Sequence, residues 1–456
     1  MTRLIAGIPE PVLTHLLDTY RARYLEVRPR CRRMAADEGS GFHDGVPMHW
    51  MRDWPMPEPL IVDVADGAII QDIDGNELAD FCLGDTGAMF GHSPPPVVAA
   101  IQTQAEHGLT AMLPGEDAMA VGRLLAKRFR LPRWQVATTA TDANRFALRV
   151  ARAVTGRSKI LVFNGCYHGT VDETFVRLID GKPAHRPGLL GQAVDLTATT
   201  KVVEFNDIPA LAAALADRDV ACVITEPVLT NCATVLPDPG FHDALWRLTR
   251  ETGTLLLIDE THTISTGPGG YTRAHGLEPD IMVIGKPVAG GVPAAVWGFT
   301  DAVGMALTEA RKALPPGHSG MGTTLSANLL TMAAMRATLE EVMTETAYAH
   351  MDRLATRLEA GLTSVITAAG LPWHVVRVGA RLEIVCTPKR LRNGGEAEAM
   401  DTHLLEQVIH LGLLVRGFLV TPFHCMLLVC PATTAAQVDG LVAALAEVVD
   451  DLRVGE

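Results

Sequence analysis

The chain reads as an α/β protein built on a large, mostly parallel sheet with a smaller α+β part. Helix-like and strand-like segments alternate from about Pro95 to Gly298, and several strand-like runs are apolar throughout, as strands buried on both faces must be. Polar groups also stand just past the ends of those runs, where ligands meet an open parallel sheet. At 456 residues the chain is too long for one typical domain. The expected division is an amino-terminal segment over 1–75, a large domain over 76–330 and a carboxy-terminal α+β domain over 331–456.

Pro11 to Arg33 carries apolar residues at helical spacing among many arginines, which predicts a helix. Gly39 to Pro59 is rich in Gly, Pro, Trp and Met and predicts an irregular loop. From Leu60 to Phe81 short strands follow, with the turn Asp74-Gly75-Asn76 joining Ala68-Ile69-Ile70 to Leu78-Ala79-Asp80-Phe81 as a hairpin. Helices are predicted over Val97 to Ala105, Asp117 to Arg130, Asn144 to Val154, Ile208 to Ala216 and Phe241 to Thr252. The strands between and after them are Lys159 to Phe163, Val220 to Thr225, Leu255 to Ile258 and Ile281 to Ile284. From about Leu330 a long helix opens the last part, which continues with strands that include Leu382 to Thr387 and Met426 to Cys430.

The net charge of −13 argues against nucleic acid or an anionic membrane as the main partner, since both reward clustered Lys and Arg. Eight cysteines are scattered through mostly apolar runs with no CxxC pair, so they read as reduced core residues of a cytoplasmic protein. After Met1-Thr2-Arg3-Leu4-Ile5 no secretory apolar region develops, and no apolar run reaches the roughly 18 to 20 residues of a membrane span. No metal site is expected, because His168 lacks partners at ligand spacing.

The stretch from Leu255 to Gly291 carries the chemistry. One apolar run ends in Asp259-Glu260, and the next, Ile281 to Ile284, leads through Gly285 to Lys286, Pro287 and a Gly-rich turn. An acid and an amine past neighbouring buried strands are the two groups that pyridoxal 5′-phosphate needs. The amine of Lys286 takes the aldehyde as a Schiff base, and the carboxylate of Asp259 keeps the pyridinium nitrogen protonated. Each alone has a plainer reading, a helix cap for the acid and a surface charge for the lysine. Their joint setting favours the cofactor.

These motifs, in this order, resemble the class III, fold-type I pyridoxal-phosphate aminotransferases, in the branch of glutamate-1-semialdehyde aminomutases and β-amino-acid or amine transaminases. Thr139-Ala140-Thr141-Asp142-Ala143-Asn144 stands at the family's Ser-Gly-Thr-Glu-Ala phosphate cup, with Ala140 in place of glycine and Asp142 in place of glutamate. The same stretch also reads as an ordinary helix cap. Asn164-Gly165-Cys166-Tyr167-His168-Gly169 is similar to the Gly-Tyr-His-Gly turn, which implies that Tyr167 stacks on the cofactor ring and that His168 supports it. Glu226, in Thr225-Glu226-Pro227, is either a group close to the ring or a solvated strand end. Thr261 replaces the family's usual valine. Its hydroxyl either touches the 3-oxygen of the cofactor or finds a backbone acceptor.

Gly322-Thr323-Thr324-Leu325-Ser326-Ala327-Asn328 resembles the segment whose threonine reaches the cofactor phosphate of a partner subunit. This implies a homodimer with Thr324 contributed across the interface; the alternative is that Thr323 and Thr324 cap the next helix. For the substrate, Arg52 and Arg416 are the arginines near the expected carboxylate sites, and Phe423 stands where related β-amino-acid enzymes have arginine. Trp50, Trp54 and Phe423 either line an apolar amine pocket or pack in the core. The resemblance implies a transaminase that moves an amino group from an amine or a β- or ω-amino acid to a keto acid such as pyruvate by a ping-pong mechanism. The alternative on the same scaffold is an aminomutase of the glutamate-1-semialdehyde type, or a racemase or epimerase.

Overall fold

The computed structural model describes residues 3–36, 40–317 and 319–454. The expectations that touch Met1, Thr2 and Gly39 lie outside the described residues. The described chain divides into two compact units, one within Met1–Pro94, Thr346–Arg390 and Met400–Glu456, the other formed by Pro95–Glu345 and Leu391–Ala399.

The second unit holds a seven-stranded sheet among the described residues. In chain order its strands are β1 (Arg133–Ala137), β2 (Lys159–Phe163), β3 (Thr200–Val203), β4 (Val220–Thr225), β5 (Leu255–Asp259), β6 (Ile281–Ile284) and β7 (Ala295–Phe299). Across the sheet they lie in the order β3-β2-β4-β5-β6-β7-β1. The pairings from β3 to β6 are parallel, and β7 runs antiparallel to both neighbours. Every residue of β4 and β6 is buried, which is why both read as continuous apolar runs. β1 and β3 escaped the sequence pattern because they are edge strands: Arg133-Trp134-Gln135 faces solvent in part and interrupts any apolar run. Gly298 in β7 sits opposite Trp134, and a Cβ there would lie 2.6 Å from the indole, so only glycine admits that ring.

Two helices matter for the site. Helix α1 (Ala140–Thr155) follows β1 directly and packs across β4, β6 and β7. It begins four residues before the predicted start, because Thr139 and not a later residue accepts the capping hydrogen bond, from the Asp142 amide. Helix α2 (Phe241–Thr252) ends at Gly253 in the left-handed region and seats Phe241 against Phe163 and Phe205, with ring centroids 5.5 and 4.5 Å away. Beyond it, Asp280 accepts both Arg250 guanidinium hydrogens at 2.7 and 2.6 Å and the Leu256 amide at 2.8 Å. One carboxylate thus fixes α2, the start of β5 and the start of β6 relative to one another.

The first unit is an α+β assembly drawn from both ends of the chain. Its four-stranded sheet contains the antiparallel strands Val62–Asp66, Ile69–Asp72 and Glu77–Asp80, with Phe418–Leu419 parallel to the last. The predicted hairpin is present, with Asp72 accepting the Asp74 and Asn76 amides in its turn. A second sheet joins His374–Val378, Arg381–Val385 and Met426–Leu428. The helix expected over Pro11 to Arg33 is two helices, Glu10–Glu26 and Pro29–Ala35, because Pro29 has no amide to continue the first. Among the described residues no helix is long and apolar enough to cross a membrane.

Asp280→Ala should lower the unfolding free energy by about 2 kcal/mol, since it leaves a buried amide and a guanidinium without their acceptor. A shifted denaturant midpoint for Asp280→Ala and a smaller shift for Asp280→Asn would check this.

Candidate active site

Strands β5 and β6 run parallel in register, Asp259 opposite Val283, and therefore deliver their polar ends to one edge of the sheet. Asp259 is buried there, and its Oδ2 accepts hydrogen bonds from Asn144 Nδ2 at 2.8 Å and His168 Nδ1 at 3.0 Å. Oδ1 accepts from the Thr261 amide at 3.1 Å. Burial works against a charge at this point, yet the hydrogen bond and charge of His168, with Thr261 and Asn144, hold the Asp259 carboxyl down to about 2. For His168, burial would lower the imidazole, but Cys166 and Asp259 raise it to about 10. The two groups form a charged pair through neutral pH.

Lys286 begins a short turn, Lys286–Ala289, that ends at Gly290. Its φ is 49°, a left-handed conformation that costs a residue with a side chain about 1–2 kcal/mol. Two features hold it there. The Gly285 amide donates to Thr261 Oγ1 at 3.1 Å, and Gly285 lies so close to helix α1 that a Cβ would sit 2.7 Å from the Ala140 Cβ. The lysine turn therefore rests on the amino terminus of α1. On its other side the Lys286 Nζ lies 2.6 Å from His262 Nε2.

At that helix terminus, Thr139 is the cap residue: its hydroxyl accepts the Asp142 amide at 3.1 Å and donates to Asp142 Oδ2 at 3.2 Å. Ala140 and Thr141 occupy the first turn, whose amides have no partner within the helix and suit an anion. Thr141 Oγ1 accepts the Thr170 amide at 3.1 Å, and Gly169 is pressed against it, since a Cβ there would lie 2.1 Å from that oxygen. The loop with Tyr167 and His168 is thereby tied to the loop with Thr141. Tyr167 is half-buried and its backbone donates to Glu226.

Glu226 is buried, so the solvated strand-end reading fails for it. Thr261 Oγ1 accepts the Gly285 amide and so clamps the end of β5 to the lysine turn; this contact uses the oxygen and leaves both roles of the hydroxyl hydrogen open. Thr324 is exposed in the turn before helix Leu329–Ala337. It does not cap that helix, because Asn328 accepts the Thr331 amide in that position. In the first unit Trp50, Trp54 and Phe423 come together, with Phe423 6.4 Å from Trp50 and 6.5 Å from Trp54 between ring centroids. Trp50 is 38% and Phe423 45% exposed, so these two are not core residues. Arg416 pairs with Glu447 and Asp451, and Arg52 with Glu58.

Three site residues carry contacts that the sequence did not assign to them. Asn144, buried inside α1, reads only as a helix position, and its contact with Asp259 spans 115 residues. His262 follows Thr261 in the same strand-end run that supplied Asp259, which is the signal that could have found it. Thr230 carries no local signal.

An acid held ionised, an amine on a strained turn and a helix terminus suited to an anion meet the needs of pyridoxal phosphate, and the close approach of Gly285 to Ala140 places amine and anion site side by side. The sequence model of the class III aminotransferase family matches residues 51–449. Glutamate-1-semialdehyde 2,1-aminomutase of Methanothermobacter thermautotrophicus is 30% identical over 407 residues, 87% of this chain and 94% of that protein. Among solved structures, a glutamate-1-semialdehyde aminomutase from Pseudomonas aeruginosa is 48% identical with a TM-score of 0.96, covering 98% of this chain and 100% of that one. Its lysine-to-alanine variant in complex with PMP matches equally. A β-phenylalanine aminotransferase from Variovorax paradoxus is 25% identical with a TM-score of 0.84, covering 95% and 97%.

Thr261→Val keeps the side-chain shape but removes the acceptor for the buried Gly285 amide. A loss of about 1–2 kcal/mol in unfolding free energy is expected. Unchanged denaturation would mean that the clamp contributes nothing.

Proposed function

The chain belongs to the class III aminotransferases, fold-type I enzymes that use pyridoxal 5′-phosphate, and from that premise we propose that it moves an amino group from carbon 2 to carbon 1 of an amino aldehyde of the glutamate-1-semialdehyde type. The observation that carries amino-group chemistry is Lys286 on its strained turn beside helix α1, with an ionised Asp259 at the end of the adjacent strand. The choice of an aminomutase is supported by the 48% likeness to the Pseudomonas aeruginosa protein over nearly the whole of both chains.

Bound at this site, pyridoxal phosphate supplies an electron-accepting ring that lets a proton leave the carbon bearing the amino group. Asp259 holds the proton on the ring nitrogen, and His168 and Asn144 keep Asp259 in the form that does so. Ala140 and Thr141 would hold the phosphate with their amides, and Thr139 fixes the helix terminus that presents them. Tyr167 would lie against the ring, with His168, Glu226 and Thr261 supporting it. Lys286 anchors the cofactor and then carries a proton to and from the substrate carbon. Thr324 would reach the phosphate in a second copy of the chain, which makes the working unit a homodimer.

A second reading has its own observation. The exposed Trp50 and Phe423 with the half-buried Trp54 offer an apolar surface, and both arginines near the expected carboxylate sites are engaged in ion pairs. That surface suits an amine or β-amino-acid donor, and the similar protein from Variovorax paradoxus is a β-phenylalanine aminotransferase. In that case a keto acid such as pyruvate takes up the amino group in a second half-reaction.

Lys286→Ala should lose the visible absorbance of the lysine-bound cofactor, and an unchanged spectrum would remove Lys286 from its role. To separate the readings, the enzyme is given glutamate-1-semialdehyde with no acceptor, and the isomeric amino ketone is followed by NMR. Isomerisation supports the aminomutase; no isomerisation, together with alanine formed from 1-phenylethylamine and pyruvate, selects the transaminase. Thr324→Ala should loosen cofactor retention without removing that absorbance, and unaltered retention would discard the contribution across subunits.

A further inference from the structure

Three buried polar side chains lie behind Lys286, and two of them, Thr230 and His262, have no task in the chemistry above. His262 Nε2 lies 2.6 Å from Lys286 Nζ, and His262 Nδ1 lies 2.6 Å from Thr230 Oγ1. Thr230 Oγ1 in turn donates to Glu226 Oε2. All three side chains are buried, and Glu226 is only 3% exposed. A threonine hydroxyl has a single proton. Once that proton is given to the Glu226 carboxylate, the oxygen can only accept, and it takes the Nδ1 hydrogen of His262. The imidazole is thereby fixed in the tautomer whose Nε2 lone pair faces the lysine. The chain of contacts therefore has a direction, and it begins at the amine.

We infer that Glu226, Thr230 and His262 form a proton relay that draws a proton from the Lys286 ammonium and leaves the amine free to attack a carbonyl. One proton passes from Lys286 Nζ to His262 Nε2. The Nδ1 proton passes to Thr230 Oγ1, and the hydroxyl proton passes to Glu226 Oε2. At the end the lysine is a neutral amine, Glu226 is a carboxylic acid, and His262 and Thr230 are neutral as before. No other reactant is needed, and the reverse sequence returns the proton.

The surroundings decide when the relay can accept. Burial raises the Glu226 carboxyl to about 6, and the His168 charge, the Thr230 hydroxyl and the Tyr167 backbone oppose this in part while Asp259 adds to it. Cys166 lies beside His168, and His242 on α2 bonds the carbonyl of Pro227, the residue after Glu226. Below about pH 6 Glu226 already holds a proton and the relay is closed. Above that pH it is an open acceptor, and a weak enough base to give the proton back.

The test uses cofactor-free protein, so its outcome is independent of which amino-group reaction the enzyme performs. Lys286 is labelled with 2,4,6-trinitrobenzenesulfonate between about pH 5 and 9, and its peptide is quantified by mass spectrometry, with the exposed Lys312 as the internal control. In the wild-type chain the labelling rate should inflect near pH 6. Glu226→Gln and Thr230→Val should both lose that inflection and label Lys286 at least about tenfold more slowly near neutral pH, and Thr230→Ser should restore the wild-type profile. If Thr230→Val does not fold, the isosteric Glu226→Gln decides. Labelling of Glu226→Gln with the wild-type inflection and rate, or a Thr230→Ser profile no better than that of Thr230→Val, would overturn the relay.

Discussion

The site depends on one geometric constraint, the parallel registration of β5 and β6. With Asp259 opposite Val283, a carboxylate at the end of one strand and a lysine three residues past the partner position are delivered to the same sheet edge. Backbone hydrogen bonding sets that spacing with no contribution from the functional side chains. Asp280 fixes the opposite ends of the same two strands, through the Leu256 amide and the Arg250 guanidinium, so the registration is secured at both ends. The left-handed backbone at Lys286 is tolerated because its neighbours determine it. Thr261 holds the Gly285 amide, and Ala140 leaves room for nothing larger than glycine beside the turn.

Burial of charge is the second constraint, and two competing effects meet in it. A carboxylate removed from water is disfavoured, and Asp259 and Glu226 resolve this differently. Asp259 gathers three donors, one of them the His168 imidazolium, and these outweigh desolvation. Glu226 has fewer opposing contacts, and desolvation wins, raising its carboxyl to about 6. Two acids within one site thus hold their protons in different pH ranges, a division of labour common where one group must stay charged and another must exchange a proton.

The first unit presents a different surface. Trp50 and Phe423 keep much of their area exposed while meeting edge to face, and Trp54 also meets the buried His410 at 5.6 Å. Exposed aromatic clusters of this kind mark binding surfaces more often than packing errors. The relatives span aminomutases and amino-acid transaminases on one fold, so the fold leaves the substrate open and the side chains around the cofactor decide it.

The sequence by itself determined the fold class and the strands β2, β4, β5 and β6, though not the buried β7, and it singled out the pair Asp259 and Lys286. These rest on local patterns: apolar runs for strands buried on both faces, polar residues at their ends, and glycines where the chain must turn. The edge strand Arg133–Ala137 was not legible, because its polar, partly exposed residues interrupt the apolar signal. The partners of the two functional groups were decided only by tertiary structure. Asn144 reaches Asp259 across 115 residues, and Thr230 reaches His262 across 32, distances over which no periodicity carries information. The two possible surroundings of Glu226 were likewise settled by packing, which buries it. A side chain's chemistry is fixed by its type, but its hydrogen-bond partners and its exposure to water exist only once the strands are laid side by side.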